Sequence, residues 1–263
     1  MSNADLQLKH ESFGHINIDS TIGILRAEGY SISTAQRKAF FCTYCAQSKA
    51  KASPAHSEGA TSLRPTQEPE NNNIVSTIHT DVAGPITPIS SKNEQYIISF
   101  QEDSTNLLWT AAFKSMDQVP IMLEKYIRDM SNSILSVPPV PNATVLLSDS
   151  ASVYLTPKIK QLLSDHGIIS TASVPYHPKS NSVSERGWQP VFGLTRSMLL
   201  AAKERSSLIT NEFWPQATAH AVLIINLTTL SHGTNEKSAF EKITNTFPNK
   251  VLKQLLLFDV LCL

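Results

Sequence analysis

The order in which short and long apolar segments alternate after residue 73 leaves this chain few ways to fold. Five short runs, "IVSTIHTDVAG", "QYIISFQED", "LLWTAAF", "TVLLSD" and "IISTASV", have the length and β-branched or aromatic content of strands. Between the third and fourth runs, Val119, Met122, Leu123, Tyr126, Ile127 and Met130 recur at three and four, the spacing of one buried helical face. A second helix is predicted after the fourth run, with Thr156 as N-cap, Pro157 at its first position and Gly167 as its stop. Its apolar face is Ile159, Leu162 and Leu163. Two more helices follow, one from near Val183 past Leu200, the other from near Asn211 with Phe213, Trp214, Ala217, Ala221, Val222 and Ile225. Three strands joined by short turns imply an antiparallel meander, and strands reached through helices imply parallel neighbours. The expected α/β fold is a mixed five-stranded sheet flanked by helices.

Flanking segments set the expected domain organisation. Residues 1–51 read as a small helical module and residues 52–73, rich in Ser, Pro, Glu and Asn, as a linker. Residues 74–235 are expected to form the core, and residues 236–263 a carboxyl-terminal extension of it that is truncated. The 41% hydrophobic and 17% charged composition is that of a soluble globular protein. Lys plus Arg and Asp plus Glu number 22 each, so no global positive field announces a polyanion, although a local basic face is compatible with a neutral total. No run approaches the roughly 20 apolar residues of a membrane span, and "MSNADLQLKHESFG" lacks the character of a signal peptide. An intracellular chain that does not engage a membrane is expected.

Three acidic residues sit where strands and helices would hold them firmly. Asp81 lies inside the first predicted strand, Asp149 ends the fourth, and Glu185 stands where a polar loop becomes helix. If the two strands are neighbours, their carboxylates reach the same end of the sheet. Phosphodiester chemistry uses such convergence to hold Mg²⁺ or Mn²⁺. Each residue also has an ordinary reading. Asp commonly forms turns at strand ends, and Ser182-Val183-Ser184-Glu185 fits a capping box.

The segments around these residues, "HTDVAGP", "LLSD" and "SNSVSERGW", resemble the three signatures of DDE integrases of copia-type (Ty/copia) LTR retrotransposons. The likeness continues through "FWPQATAHAVLIINLTTL", "SAFEKITNTFPNK" and "LLLFDVLCL". The resemblance implies an RNase H-like core that processes the ends of element DNA and joins them to target DNA. It implies the catalytic triad Asp81, Asp149 and Glu185, with Mg²⁺ or Mn²⁺ as cofactor. It further implies double-stranded DNA as partner, a homo-oligomer, other parts of a polyprotein, and residence in nucleus, cytoplasm or a virus-like particle.

Near the amino terminus, His10 and His15 precede Cys42 and Cys45. Imidazole nitrogen and thiolate sulfur suit tetrahedral Zn²⁺, and a closed set of four has a structural rather than catalytic character. H-x4-H, a helical stretch and C-x2-C also resemble the zinc-binding module that precedes such cores. The ordinary alternative is two surface histidines near two unrelated cysteines. His79 reads as a strand residue, and His177 as a loop residue, solvated or touching DNA.

Several positions depart from the family pattern. "SDSASVY" lacks the usual glycines after Asp149 but keeps Tyr154, and Ser182 stands where glycine is usual. "ERGWQPVFG" replaces a basic, Asn-containing stretch, and Gly187, Pro190 and Gly193 weaken and bend the expected helix. Lys179, Arg186 and Arg196 are the remaining candidates for phosphate contact. These departures keep open a second reading, a decayed or domesticated integrase fragment that binds nucleic acid or protein. A third reading, an RNase H-type nuclease, shares the chemistry but not the zinc module.

Overall fold

The first apolar run becomes β1 (Ser76–Ala83), and it lies at the centre of the sheet. It is flanked by β2 (Tyr96–Glu102), with β3 (Leu108–Phe113) beyond, and on its other side by β4 (Thr144–Ser148) and β5 (Ile168–Ala172). The order β3-β2-β1-β4-β5 pairs the first three strands antiparallel and adds β4 and β5 parallel. A hairpin meander extended by two helical crossovers is the RNase H-like arrangement, as expected. The computed structural model describes residues 1–49, 76–131, 144–148, 154, 156–172, 178–228, 237–255, 257 and 258.

Period-two alternation divides β1 between two layers. Ile78, Thr80 and Val82 face α5 (Val119–Ser131) and α6 (Pro157–Asp165). There Ile98, Phe100, Leu123, Tyr126, Leu146 and Ile159 pack together, and Phe100 stacks on Tyr126 at 4.4 Å. Full burial of one such aliphatic side chain stabilises the fold by about 1.5–3 kcal/mol. Tyr154 tucks under this face, its hydroxyl 3.1 Å from Thr80 Oγ1. The opposite face, with Asp81 and Ala83, turns toward α7 (Pro178–Arg205) and α8 (Trp214–Leu227). On that side Asn226 of α8 brackets the edge strand β3: its amide donates to Leu108 O (2.7 Å) and its carbonyl accepts from Leu108 N (2.9 Å).

The predicted α6 holds in position, with Pro157 in its first turn and Gly167 at φ +65° just beyond it, though the Thr156 hydroxyl makes no capping bond. The long helix differs. It begins at Pro178 rather than near Val183 and runs 28 residues, through Pro190. Ser182 and Glu185 are therefore inside the helix, and the capping-box reading of Glu185 is wrong. Burial of Trp188, Val191, Leu194 and Met198 outweighs the missing proline donor. Among the described residues, no helix is long and apolar enough to cross a membrane.

The amino-terminal helices α1 (Asn3–Ser12), α2 (Ile18–Ala27), α3 (Thr34–Ala39) and α4 (Thr43–Lys49) do not form a core of their own. Leu6, Phe13, Ile16, Ile22 and Leu25 share one apolar cluster with Val191, Met198, Ala202, Ala221 and Ile224 of α7 and α8. Polar contacts reinforce the junction. Ser48 Oγ lies 2.6 Å from Ser197 Oγ, Tyr44 donates to Glu204 (2.7 Å), and Arg205 donates to Glu11 (2.7 Å). The Glu204 carboxylate raises the Tyr44 pKa to about 12. The last described segments, α9 (Ala239–Thr244) and α10 (Asn249–Lys253), add Ala239, Leu252 and Phe258 to the buried set.

Gly14 marks the closest approach at this junction. Its φ is +62°, and a Cβ there would collide with Ile224 while crowding Met198. We expect Gly14→Ala to destabilise the chain by about 1–3 kcal/mol, from left-handed strain and overpacking together. Thermal melting checks this, and an unchanged midpoint would mean that the junction is looser than it looks.

Candidate functional site

The turn after α1 places its two histidines side by side. Gly14 and His15 both have positive φ (+62° and +64°), and His15 N donates back to His10 O at 3.0 Å. This reversal sets the two rings edge to face, with centroids 5.1 Å apart. A non-glycine residue at positive φ is uncommon and often signals a functional constraint. Cys42 immediately precedes α4 and Cys45 lies in its first turn, so both thiols point back at the histidines.

Four ligand atoms, one from each of His10, His15, Cys42 and Cys45, lie within 4.8 Å of one another. His10 Nε2 is 3.2 Å from Cys45 Sγ, and His15 Nδ1 is 3.4 Å from Cys42 Sγ and 3.7 Å from Cys45 Sγ. Tetrahedral bonds of about 2.0–2.3 Å to zinc imply ligand–ligand edges of about 3.3–3.8 Å. The three printed separations match such edges and the widest, at up to 4.8 Å, would have to close by about 1 Å, while the burial of both histidines beside both thiols excludes the reading of two surface histidines near unrelated cysteines. Cys42 is held well below its ordinary thiol pKa by the hydrogen bond from Cys45, helped by His10 and His15. Burial pushes the His10 pKa below its ordinary value, against the opposing effect of its hydrogen bond with Cys42. Gln7 also points an amide at Cys42 Sγ (3.7 Å), a donor suited to a thiolate.

On the sheet, Asp81 is held from two sides. Its Oδ1 accepts from the Val82 amide at 2.9 Å, and its Oδ2 accepts from the Trp188 indole at 3.0 Å. Strand β4 runs parallel to β1, and its register ends with Ser148 opposite Thr80, one residue before Asp149. Asp149 itself and His177 lie outside the described residues. Position 185 falls on α7 one turn before Trp188; of the 185 side chain, and of Lys179 and Arg186, nothing is described. Arg196 is exposed on the same helix. His79 is buried, its Nε2 3.2 Å from Asp103, within ion-pair distance but not aligned for a hydrogen bond.

No protein-family model matches the chain. It is 29% identical over 154 residues, 59% of its length, to the retrovirus-related Pol polyprotein from transposon TNT 1-94 of Nicotiana tabacum. Over 221 residues, 82% of its length, it is 23% identical to that from transposon RE2 of Arabidopsis thaliana. Its homologues are copia-type Pol polyproteins of plant transposons. The chain spans 11% and 13% of the lengths of these two relatives. Among solved structures, the catalytic core domain of BIV integrase matches 66% of this chain and 97% of its own, at 19% identity and a TM-score of 0.43. A simian T-cell lymphotropic virus intasome bound to the PP2A regulatory subunit B56 gamma matches 93% of this chain and 75% of its own, at 16% identity and a TM-score of 0.47. Strand order and pairing, rather than these distant likenesses, define the fold.

One contact to the Asp81 carboxylate is not foreseen from sequence. Trp188 ends the segment "SNSVSERGW" and carries no role in the sequence reading, and it lies 107 residues from the Asp81 carboxylate it touches. Its spacing of three from Glu185, one helical turn, is the signal that could have found it.

Proposed function

We propose that this chain is the zinc-binding module and catalytic core of a copia-type integrase, which processes the ends of element DNA and joins them to target DNA. The observation that carries this reading is the position of Asp81. It occupies the central strand, beside a parallel β4 that leads into Asp149, and is tied to the helix that carries Glu185. In this reading Asp81, Asp149 and Glu185 hold Mg²⁺ or Mn²⁺, which when bound activates the attacking oxygen and stabilises the leaving one. Asp81 is fixed by its two donors, so its charge is presented in one direction. His10, His15, Cys42 and Cys45 hold structural zinc. Arg196, with Lys179 and Arg186, contacts phosphates.

One observation favours the alternative of a decayed, DNA- or protein-binding fragment. Two of the basic residues of α7 are engaged elsewhere, Lys203 with Asn211 (2.7 Å) and Arg205 with Glu11, so few remain for DNA. The discriminating experiment incubates the full chain, zinc-loaded, with oligonucleotides carrying the element's own ends and Mg²⁺ or Mn²⁺. Metal-dependent strand joining is the expected result. Binding of those oligonucleotides with no cleavage or joining in either metal would favour the decayed fragment.

A further inference from the structure

We propose that Trp188 is a positioning residue for Asp81, its indole N–H fixing the β1 carboxylate relative to α7. The inference rests on reading Asp81 as a cation-binding carboxylate. Trp188 is buried (7% exposed) and its ring stacks on Phe192 at 5.1 Å, 12° from parallel, so the donor that reaches Asp81 Oδ2 at 3.0 Å is itself held rigidly. An indole can only donate. A carboxylate has about four lone-pair sites, so one such bond restrains the group without saturating it. Together with the Val82 amide on Oδ1, the bond therefore selects one orientation of the carboxylate.

Gly187 lies beside this contact. A Cβ there would stand 3.1 Å from Gln101 Oε1, so a larger residue would crowd the tip of that side chain, which would have to give by a few tenths of an ångström. Glycine inside a helix costs about 1 kcal/mol relative to alanine. Here that cost is offset by close approach, because His79, Ser99, Gln101, Leu108 and Val191 close around the Gly187–Trp188 step and leave only about 10 Å³. A space of that size barely admits one water. The strut is thus closely packed, and it spans the two elements that carry Asp81 and Glu185.

The experiment uses the full zinc-loaded chain labelled with ¹⁵N. The sequence has three tryptophans, and each described indole has its own acceptor: Asp129 Oδ2 for Trp109 (3.2 Å), Asp81 for Trp188, and Pro88 O for Trp214 (3.1 Å). Asp81→Ala should move the Trp188 indole resonance and leave the Trp214 one in place; an unmoved Trp188 resonance overturns the proposal. Mn²⁺ is then titrated into wild type and Trp188→Phe, which keeps the stack on Phe192 but removes the donor. The Mn²⁺ midpoint, read from paramagnetic broadening of neighbouring amides, should weaken about 10–100-fold in the variant, as for other residues that orient metal ligands. Joining should fall at low Mn²⁺ and recover at high Mn²⁺, which a general loss of stability would not produce. A midpoint unchanged or tighter in Trp188→Phe overturns the positioning role and leaves the metal reading standing. No Mn²⁺ response in wild type overturns both.

Discussion

Stripping zinc from the full chain is expected to unfold residues 1–49 and to loosen the packing of α7 and α8 with them. A four-ligand zinc site contributes an apparent 10–16 kcal/mol in small zinc-finger peptides at neutral pH, more than the whole stability of many domains. Here the ligands cross-link the turn after α1 to the start of α4, and the helices so fixed bury Leu6, Phe13, Ile16 and Leu25 against Val191, Met198 and Ile224. Losing the ion should therefore expose apolar surface of α7 and α8 as well as melt short helices. A strong chelator should lower the helical circular dichroism and the melting temperature by well over ten degrees, and Cys45→Ser should reproduce both. An unchanged melting curve in excess chelator would end the structural-zinc reading. Acid acts in the same direction. Burial lowers the His10 pKa from its ordinary 6.5, so the unfolded chain takes up that proton first. The stability this supplies is present above pH of about 6.5 and is lost as pH falls below it.

Asp81→Asn is expected to abolish joining while leaving the fold intact. Asn keeps an acceptor for Trp188 but loses the charge a divalent ion needs. The stability cost is that of replacing a charge-assisted hydrogen bond by a neutral one, about 1 kcal/mol. The joining rate should fall at least about a thousandfold, equivalent to about 4 kcal/mol of barrier. Glu185→Gln is the companion test. Because position 185 lies inside α7 and not at its start, no capping role can mask the result, and Gln and Glu have nearly equal helix propensity. Rates within threefold of wild type in either variant would remove that residue from the proposed triad.

The parts of this structure that were legible in the sequence are those set by local periodicity. The length and β-branched content of "IVSTIHTDVAG" gave β1, although not its two faces, and the three-four spacing of Val119, Leu123 and Tyr126 gave α5. The His/Cys cluster was legible because H-x4-H and C-x2-C together supply four donors of the type zinc prefers, although only the structure brings His15 beside the thiols. The start of α7 was not legible. "HPKSN" carries no apolar period, and Pro190 argues against a helix whose packing on the sheet and on α8 in fact sustains it. Periodicity also shows that a face is apolar without showing what covers it. That is why the sharing of one core by the amino-terminal helices, α7 and α8 could not be read in advance.

Helix α7 has a consequence for tolerance of sequence change along the chain. At 1.5 Å per residue its 28 residues extend about 42 Å, from the carboxylate end of the sheet to the contacts of Glu204 and Arg205 with Tyr44 and Glu11. Glu204 and Arg205 are about 30 Å along the helix from position 185, yet they belong to the same continuous helix. Distance from the carboxylates is therefore a poor guide to which substitutions this chain can accumulate. A substitution that breaks the Glu204 or Arg205 contact at the far end of α7 should disturb the same helix as one beside Trp188.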